Sequence, residues 1–221
     1  MKLAREGWPF LLAGLLAGGA AWAWSALAGG LLASTAAFAL SGLTLFVLWF
    51  FRDPIRALPR DAALVVAPGE GRVIDIRETL EPSFLKETCR RVTIFLSVFD
   101  VHVQRAPVSG RVEHREYVPG KYLVAWKEKA SDENERASLG IATPQGRVLV
   151  KQIAGLVARR IITDQQVGDS VERGERIGLI RFGSRVDLFV PLHWEITCEV
   201  GDTVRVGVTP LARMPVAVEA S

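Results

Sequence analysis

Hydrophobic residues dominate the first quarter of the chain, where no residue from Trp8 to Phe51 is charged. A membrane-spanning helix needs about 20 residues, so this stretch is too long for one perpendicular crossing. It divides at Gly29-Gly30, which predicts two helices over residues 8–27 and 31–51. A single long segment, tilted or re-entrant, is the alternative. A secretory signal peptide fits poorly, because its apolar core covers only about 7–15 residues.

Basic residues flank the apolar region on both sides, and they are Lys2 and Arg5 before it and Arg52, Arg56 and Arg60 after it. Lys and Arg favour the cytoplasmic side of a membrane. Both ends of the apolar region are therefore expected in the cytoplasm. This predicts a membrane hairpin over residues 1–52 and a cytoplasmic domain over residues 53–221.

Beyond residue 53 the apolar positions form short runs between glycine turns. Valine and isoleucine are frequent in these runs, and several alternate with the period of two that is typical of strands. Examples of these runs are residues 63–67, 72–76, 92–98, 147–153, 159–163, 176–181 and 204–208. Helix-like segments are few, and the dense charge run over 127–136 is expected to be a solvated loop or a helix start. The pattern predicts a mainly β domain of the barrel-sandwich type, α+β at most, after an N-terminal transmembrane helical hairpin.

Composition adds limits to this picture. The formal charge is +3 and the sequence pI is about 9.1, which favours an anionic membrane surface or simply solubilises the domain. Cys89 and Cys198 are expected to be free thiols in a reducing cytosol. No Cys/His cluster has the spacing of metal ligands. The sequence therefore predicts no metal and no nucleic-acid partner.

Candidate chemistry centres on Gly183-Ser184, which follows an apolar run. A serine after a glycine can attack the glycine carbonyl if the turn is strained and a base is near, and the resulting ester can eliminate to leave a pyruvoyl group. Gly-Ser alone is an ordinary turn dipeptide. His102 alternates with valines, and Glu70 lies in a Pro-Gly-Glu-Gly turn. Together the three side chains would form an activated nucleophile with an oriented base.

Six segments in order carry a resemblance to a known family, and they cover residues 50–54, 67–71, 99–110, 119–122, 129–136 and 176–187. The third reads Phe-Asp-Val-His-Val-Gln-Arg-Ala-Pro-Val-Ser-Gly, and the last contains Arg-Phe-Gly-Ser-Arg-Val-Asp. With the twin apolar segments in front, the chain resembles the short, membrane-associated bacterial phosphatidylserine decarboxylases. That family is pyruvoyl-dependent and is made as a self-cleaving proenzyme.

The resemblance implies a role for four residues. Ser184 becomes the pyruvoyl group and Gly183 supplies the carbonyl that is attacked, so that cleavage at 183/184 gives a β chain of residues 1–183 and an α chain of residues 184–221. The two fragments would remain together as a heterodimer. His102 matches the histidine that activates the serine. Glu70 stands where the family usually has an aspartate that orients this histidine.

The resemblance also implies the reaction. Membrane phosphatidylserine would form a Schiff base with the pyruvoyl group, lose carbon dioxide and leave as phosphatidylethanolamine, without pyridoxal phosphate or a metal. The proton donor stays open. His102 and Asp100 are the first candidates, since Asp100 stands near the place of a second histidine in larger family members. His193 is a further candidate, although a surface strand residue is the expected role.

Two alternatives come from another functional class. A membrane-tethered barrel-sandwich binding or scaffold protein would use Gly183-Ser184 only as a turn, and an inactive homologue would behave in the same way. Chain integrity separates these alternatives from the enzyme, which must be isolated as two pieces. The sequence leaves the oligomeric state open, including a homo-oligomer.

Overall fold

The computed structural model describes residues 2–120, 134–155, 160–181 and 184–215. The chain divides into two compact units, Met1–Ile55 and Arg56–Ser221. The matched segments 119–122 and 129–136 lie partly outside the described residues. Gly183 lies outside them entirely.

The first unit is a helical hairpin. After a 3-10 turn over Arg5–Gly7, α1 spans Trp8–Ala28 and α2 spans Leu31–Phe50. Gly29 and Gly30 reverse the chain with φ angles of 63° and 90°, a region that favours glycine. Both helices are long and apolar enough to cross a membrane. The two predicted helices are thus confirmed, in place of one long segment.

Small residues bring the two helices together. A Cβ atom at Gly14 would lie only 2.6 Å from Oγ1 of Thr44, and Nε1 of Trp22 donates to Oγ of Ser41 at 3.1 Å. Such close approach and interhelical hydrogen bonding are typical of helices packed in lipid. Large apolar side chains remain on the outer surface, and Leu27 is 89% exposed. The hairpin therefore has the surface expected of a segment surrounded by hydrocarbon.

Short antiparallel strands make up most of the second unit, and a two-stranded pair precedes it. In chain order the strands are β1 (Lys2–Leu3), β2 (Arg52–Asp53), β3 (Leu64–Val66), β4 (Gly71–Glu81), β5 (Glu87–Leu96), β6 (Val103–Arg105), β7 (Gly110–Val118), β8 (Arg136–Thr143), β9 (Gly146–Ala154), β10 (Ile161–Thr163), β11 (Ser170–Val171), β12 (Arg176–Ile180), β13 (Ser184–Pro191), β14 (Glu195–Ile196), β15 (Thr203–Val204) and β16 (Pro210–Arg213).

The main sheet has eight strands in the order β11-β7-β8-β9-β13-β5-β4-β15, and it curls into a half-barrel. Two sheets of three strands accompany it, in the orders β10-β12-β6 and β14-β16-β3, while β1 pairs with β2 in the first unit. The mainly β prediction is confirmed. Strand β13 lies inside the large sheet, between β9 and β5.

Both faces of β13 are buried. On one face Val186, Leu188 and Val190 enter the main hydrophobic core. On the other face Arg185 makes two hydrogen bonds to the carboxylate of Asp187, at 2.7 and 2.8 Å, and both side chains are almost fully buried. A buried guanidinium needs such a bidentate partner to offset its desolvation. The strand is therefore held by packing on one side and by paired charge on the other.

Two local predictions were wrong. The run 204–208 forms a strand only over Thr203–Val204, because Gly207 has a φ angle of 73° and the chain turns there. His193 lies in the turn after β13, exposed at the surface, and not in a strand.

The two cysteines are free and buried, and burial raises the pKa of each thiol to about 11.

Candidate active site

The chain passes from one sheet to another at the predicted cleavage point. Strand β12 ends at Ile180 in a three-stranded sheet, and β13 begins at Ser184 in the eight-stranded sheet. The backbone of Ser184 is in register with Ala154 of β9 on one side and Leu96 of β5 on the other. Ser184 is thus the first residue of a strand that is paired on both sides.

His102 lies just before β6 and is fully buried. Its Nδ1 is 2.9 Å from the main-chain oxygen of Asp100. Because a carbonyl can only accept a hydrogen bond, Nδ1 carries the proton in this contact, and Nε2 is the basic nitrogen. The main-chain oxygen of His102 accepts from the amide of Ile180 at 3.3 Å, which ties the histidine to the strand that leads toward Ser184.

Asp100 holds the turn in front of the histidine. Its carboxylate accepts hydrogen bonds from the amide and the hydroxyl of Ser97, both at 2.7 Å, while its main-chain oxygen contacts His102. These contacts orient the imidazole from the backbone. The suggested role of Asp100 as a proton donor stays a prediction.

Glu70 forms an ion pair with Nη1 of Arg56, which also donates to the main-chain oxygen of Val206 at 3.4 Å. Within the part of the chain that the structure describes, no hydrogen bond joins Glu70 to His102. The structure therefore brings Glu70 to a guanidinium. The predicted pairing of Glu70 with the imidazole stays a prediction.

The turn that carries Glu70 is nevertheless held against strand β5. At Gly71 φ is 153°, and a Cβ atom there would lie 2.0 Å from the main-chain oxygen of Phe95. Only glycine fits so close to another backbone. Phe95 precedes Leu96, the residue in register with Ser184. The acidic turn and the start of β13 are thus anchored to the same end of one strand.

Two buried polar residues near Ser184 were missed in the sequence. Asn134 is fully buried, and its Nδ2 donates to the main-chain oxygen of Ala154 at 2.7 Å. The amide of Ala154 donates to the main-chain oxygen of Glu135 at 2.9 Å. The expected solvated loop over 127–136 is therefore wrong at its end, because backbone bonding to β9 pulls Asn134 and Glu135 inside. Residues 127–133 lie outside the described residues.

The carboxylate of Glu135 connects two further elements. It accepts from the amide of Ile161, at the start of β10, at 3.2 Å. Burial, together with the nearby Glu135 charge and a hydrogen bond to its carboxylate, raises the pKa of Tyr117 on β7. Asn134 and Glu135 thus fix the end of β9 that pairs with Ser184. The signal for these two residues in the sequence was their place in the matched segment 129–136, because the charge of that segment alone favoured a solvated loop.

The described residues contain no group of three or more His, Cys, Asp or Glu side chains that could hold a metal ion. They contain one buried imidazole whose Nδ1 contacts a main-chain oxygen, a carboxylate–guanidinium pair and a strand that starts at a serine. Such an arrangement suits proton transfer at a backbone position. It also suits a covalent group made from that serine, because the neighbouring strand ends hold the position on both sides.

Several known proteins are similar to this chain over most of its length. A family model described as phosphatidylserine decarboxylase matches residues 43–212. The phosphatidylserine decarboxylase proenzyme of Symbiobacterium thermophilum is 50% identical over 218 residues, which are 96% of this chain and 96% of that protein. The proenzyme of the same name from Salinibacter ruber is 53% identical over 173 residues, covering 77% of this chain and 76% of the other. The one from Syntrophus aciditrophicus is 46% identical over 169 residues, with 76% and 79% covered.

Proposed function

Because the chain belongs to the phosphatidylserine decarboxylase family, a family of enzymes, we propose that it converts phosphatidylserine to phosphatidylethanolamine through a pyruvoyl group derived from Ser184. The observation that carries this proposal is the position of Ser184 at the start of a strand paired on both sides, next in the chain to the strand that contacts His102. The name proenzyme, borne by the relatives, supports processing of the chain into two fragments.

Processing would begin with attack of the Ser184 hydroxyl on the carbonyl carbon of Gly183. The peptide C–N bond breaks, and an ester and a free amino group form. Removal of the Ser184 α-proton then expels the Gly183 carboxylate, which becomes the new C-terminus. The remaining dehydroalanine tautomerises to an imine, and water hydrolyses it to the ketone and ammonia.

His102 is the proposed base for this process. Its Nε2 would take the hydroxyl proton, while the hydrogen bond from Nδ1 to Asp100 fixes the ring. Glu70 would stabilise the imidazolium that forms, in the way a buried carboxylate does in catalytic triads. The ion pair with Arg56 would then have to open or to be shared during processing.

The fit of these residues to the pyruvoyl group rests on their chemistry. When present, the group supplies a ketone that condenses with the substrate amine and accepts the electrons released with carbon dioxide. The group would replace Ser184 at the start of β13, and burial of His102 keeps water from its ring. Once Nε2 of His102 has taken up a proton, it would supply the proton that replaces the lost carboxylate, with Asp100 as the second candidate.

A direct assay tests the proposed activity. The purified protein should convert phosphatidylserine vesicles to phosphatidylethanolamine without added pyridoxal phosphate or metal, and soluble serine should be a poor substrate. Hydroxylamine, or borohydride given together with substrate, should inactivate the enzyme by more than about tenfold. Hydroxylamine forms an oxime with the ketone, and borohydride reduces the Schiff base that the ketone forms with the substrate amine. Activity that survives both reagents and requires pyridoxal would contradict the pyruvoyl mechanism.

The helical hairpin would hold the enzyme at the membrane, where a diacyl lipid remains. We place the N-terminus and the β unit on the cytoplasmic side, because basic residues flank the hairpin at both ends. Since both native thiols are buried, single cysteines should be introduced at the exposed positions Arg5 and Val200. Thiol reagents should label both from the cytoplasmic face of oriented vesicles. Labelling only from the opposite face would contradict this topology.

A further inference from the structure

Two buried glutamine amides each keep one polar atom without a partner. The side chains of Gln104 and Gln152 are 0% and 3% exposed. Nε2 of Gln104 donates to the main-chain oxygen of His102 at 3.3 Å, which leaves Oε1 as its other end. Oε1 of Gln152 accepts from the hydroxyl of Thr163 at 3.3 Å, which leaves Nε2. Across the described residues neither remaining atom has a hydrogen-bond partner.

Both glutamines lie beside the start of β13. Gln152 is in register with Val186, two residues along the ladder from the pair of Ala154 and Ser184. A Cβ atom at Gly69, next to Glu70, would lie 3.0 Å from Oε1 of Gln104 and 3.4 Å from Cγ2 of Val186. Oε1 of Gln104, which has no hydrogen-bond partner among the described residues, is thus close to the turn that carries Glu70, to His102 and to strand β13.

Gly178 of β12 lies close to both glutamines. Gly178 is in register with Gln104, and a Cβ atom there would lie 3.3 Å from Nε2 of Gln152. It would also lie 2.0 Å from the main-chain oxygen of Ile162, so this position must be glycine. Oε1 of Gln104 therefore lies close to the backbone of Gly69, and Nε2 of Gln152 lies close to the backbone of Gly178.

Unmet polar atoms are costly in a protein interior, and native folds keep few of them. Here one is an acceptor and the other a donor, and they flank the same strand. An α-amino acid headgroup offers the complementary pair, since its ammonium donates hydrogen bonds and its carboxylate accepts them. Both amides are neutral, so they can orient the ammonium and the carboxylate without a positive charge. A positive charge would stabilise the carboxylate of the bound substrate and so oppose its loss as carbon dioxide.

We propose that Gln104 and Gln152 bind the serine headgroup of the substrate. Oε1 of Gln104 accepts from the headgroup ammonium, and Nε2 of Gln152 donates to the headgroup carboxylate. This assignment rests on the proposed function and adds to it the residues that distinguish the serine lipid from its ethanolamine product. Gln104 recognises the ammonium group that both lipids have, whereas Gln152 recognises the carboxylate group that only the substrate has.

Binding to an uncut protein tests the assignment without activity. The full chain carrying Ser184→Ala should be titrated with glycerophosphoserine and with glycerophosphoethanolamine by calorimetry. Adding Gln152→Leu should weaken binding of the serine compound by about tenfold or more, as expected for a lost hydrogen bond to a charged group, and should change binding of the ethanolamine compound less than about twofold. Adding Gln104→Leu should weaken both.

Gln165→Leu is the matched control. Gln165 is also buried, and its Oε1 also lacks a partner in the described residues, but its Nε2 donates to the main-chain oxygen of Arg176 on β12 at 2.7 Å. Its substitution should leave both affinities within about twofold. Gln152→Met, which has nearly the same length, should reproduce the Gln152→Leu result if the leucine variant unfolds on heating at a lower temperature.

Several outcomes would overturn the assignment. They are a parent protein that does not bind the serine compound, a Gln152→Leu protein that binds it as the parent does, and an equal loss for both compounds. The unsubstituted protein separates this failure from failure of the proposed function. If it is cut and decarboxylates phosphatidylserine while Gln152→Leu keeps full affinity, only the headgroup assignment is wrong.

Discussion

Replacing Ser184 with alanine should leave the chain in one piece and abolish decarboxylation. The substitution removes the only atom that can attack the Gly183 carbonyl at this position, and with it the source of the pyruvoyl group. The unsubstituted protein should give fragments of residues 1–183 and 184–221. The small fragment should be lighter than its plain sequence by one ammonia, because its serine has become a ketone. Denaturing mass spectrometry measures both masses directly.

A matched serine controls for loss of the fold. Ser138 is buried in β8 of the same sheet, and Ser138→Ala should still be cut and active. An active preparation with an intact chain, or a small fragment that begins with unmodified serine, would contradict the assignment of Ser184. An intact and inactive unsubstituted chain would instead favour the scaffold or inactive-homologue alternative.

Substitution of His102 by alanine should leave the chain uncut, because a general base is expected to accelerate such a step by roughly 10²–10⁴-fold. Glu70→Gln should slow cutting strongly, since it keeps the shape of the side chain and removes the charge that would stabilise the imidazolium. Glu70→Asp should remain competent, because it restores the acid that is usual in the family. Gel time courses after synthesis measure all three rates.

An exposed histidine and an exposed glutamate provide the controls. His193 is exposed in a turn, and Glu78 makes an exposed ion pair with Arg90, so His193→Ala and Glu78→Gln should be cut at the normal rate. Normal cutting of Glu70→Gln would remove Glu70 from the process and leave its ion pair with Arg56 as a structural contact. Normal cutting of His102→Ala would remove the proposed base altogether.

The helices were predictable because an uncharged stretch with two central glycines has few other solutions. The predicted bounds differ from the observed ones by one residue at each C-terminal end. Strands were predictable where valine and isoleucine alternate, as in β5, β9 and β12, but the named runs do not cover β8 or β13. The exception at 204–208 arises from Gly207, whose positive φ ends the strand although the residues around it are apolar.

Side-chain partners were much less predictable. Arg56 carries a topology signal in the sequence, yet in the structure it pairs with Glu70, 14 residues away. No local pattern shows that a membrane-flanking arginine will reach an acidic turn. Gln104 and Gln152 belong to ordinary β patterns, and their importance depends on which atoms lack partners. Such information exists only after the strands have been placed side by side.

The central position of β13 has a consequence for the order of folding and the proposed cut. A cut before Ser184 would leave β13 to β16 in a separate polypeptide, although β13 pairs with β9 and β5, β15 with β4 and β16 with β3. The fragments could part only by breaking these ladders and opening the core. Folding would therefore precede the proposed cut, and unfolding of the cut protein would become a dissociation of two polypeptides. Its refolding would then depend on concentration, so the single uncut chain is the form in which this fold can be built efficiently.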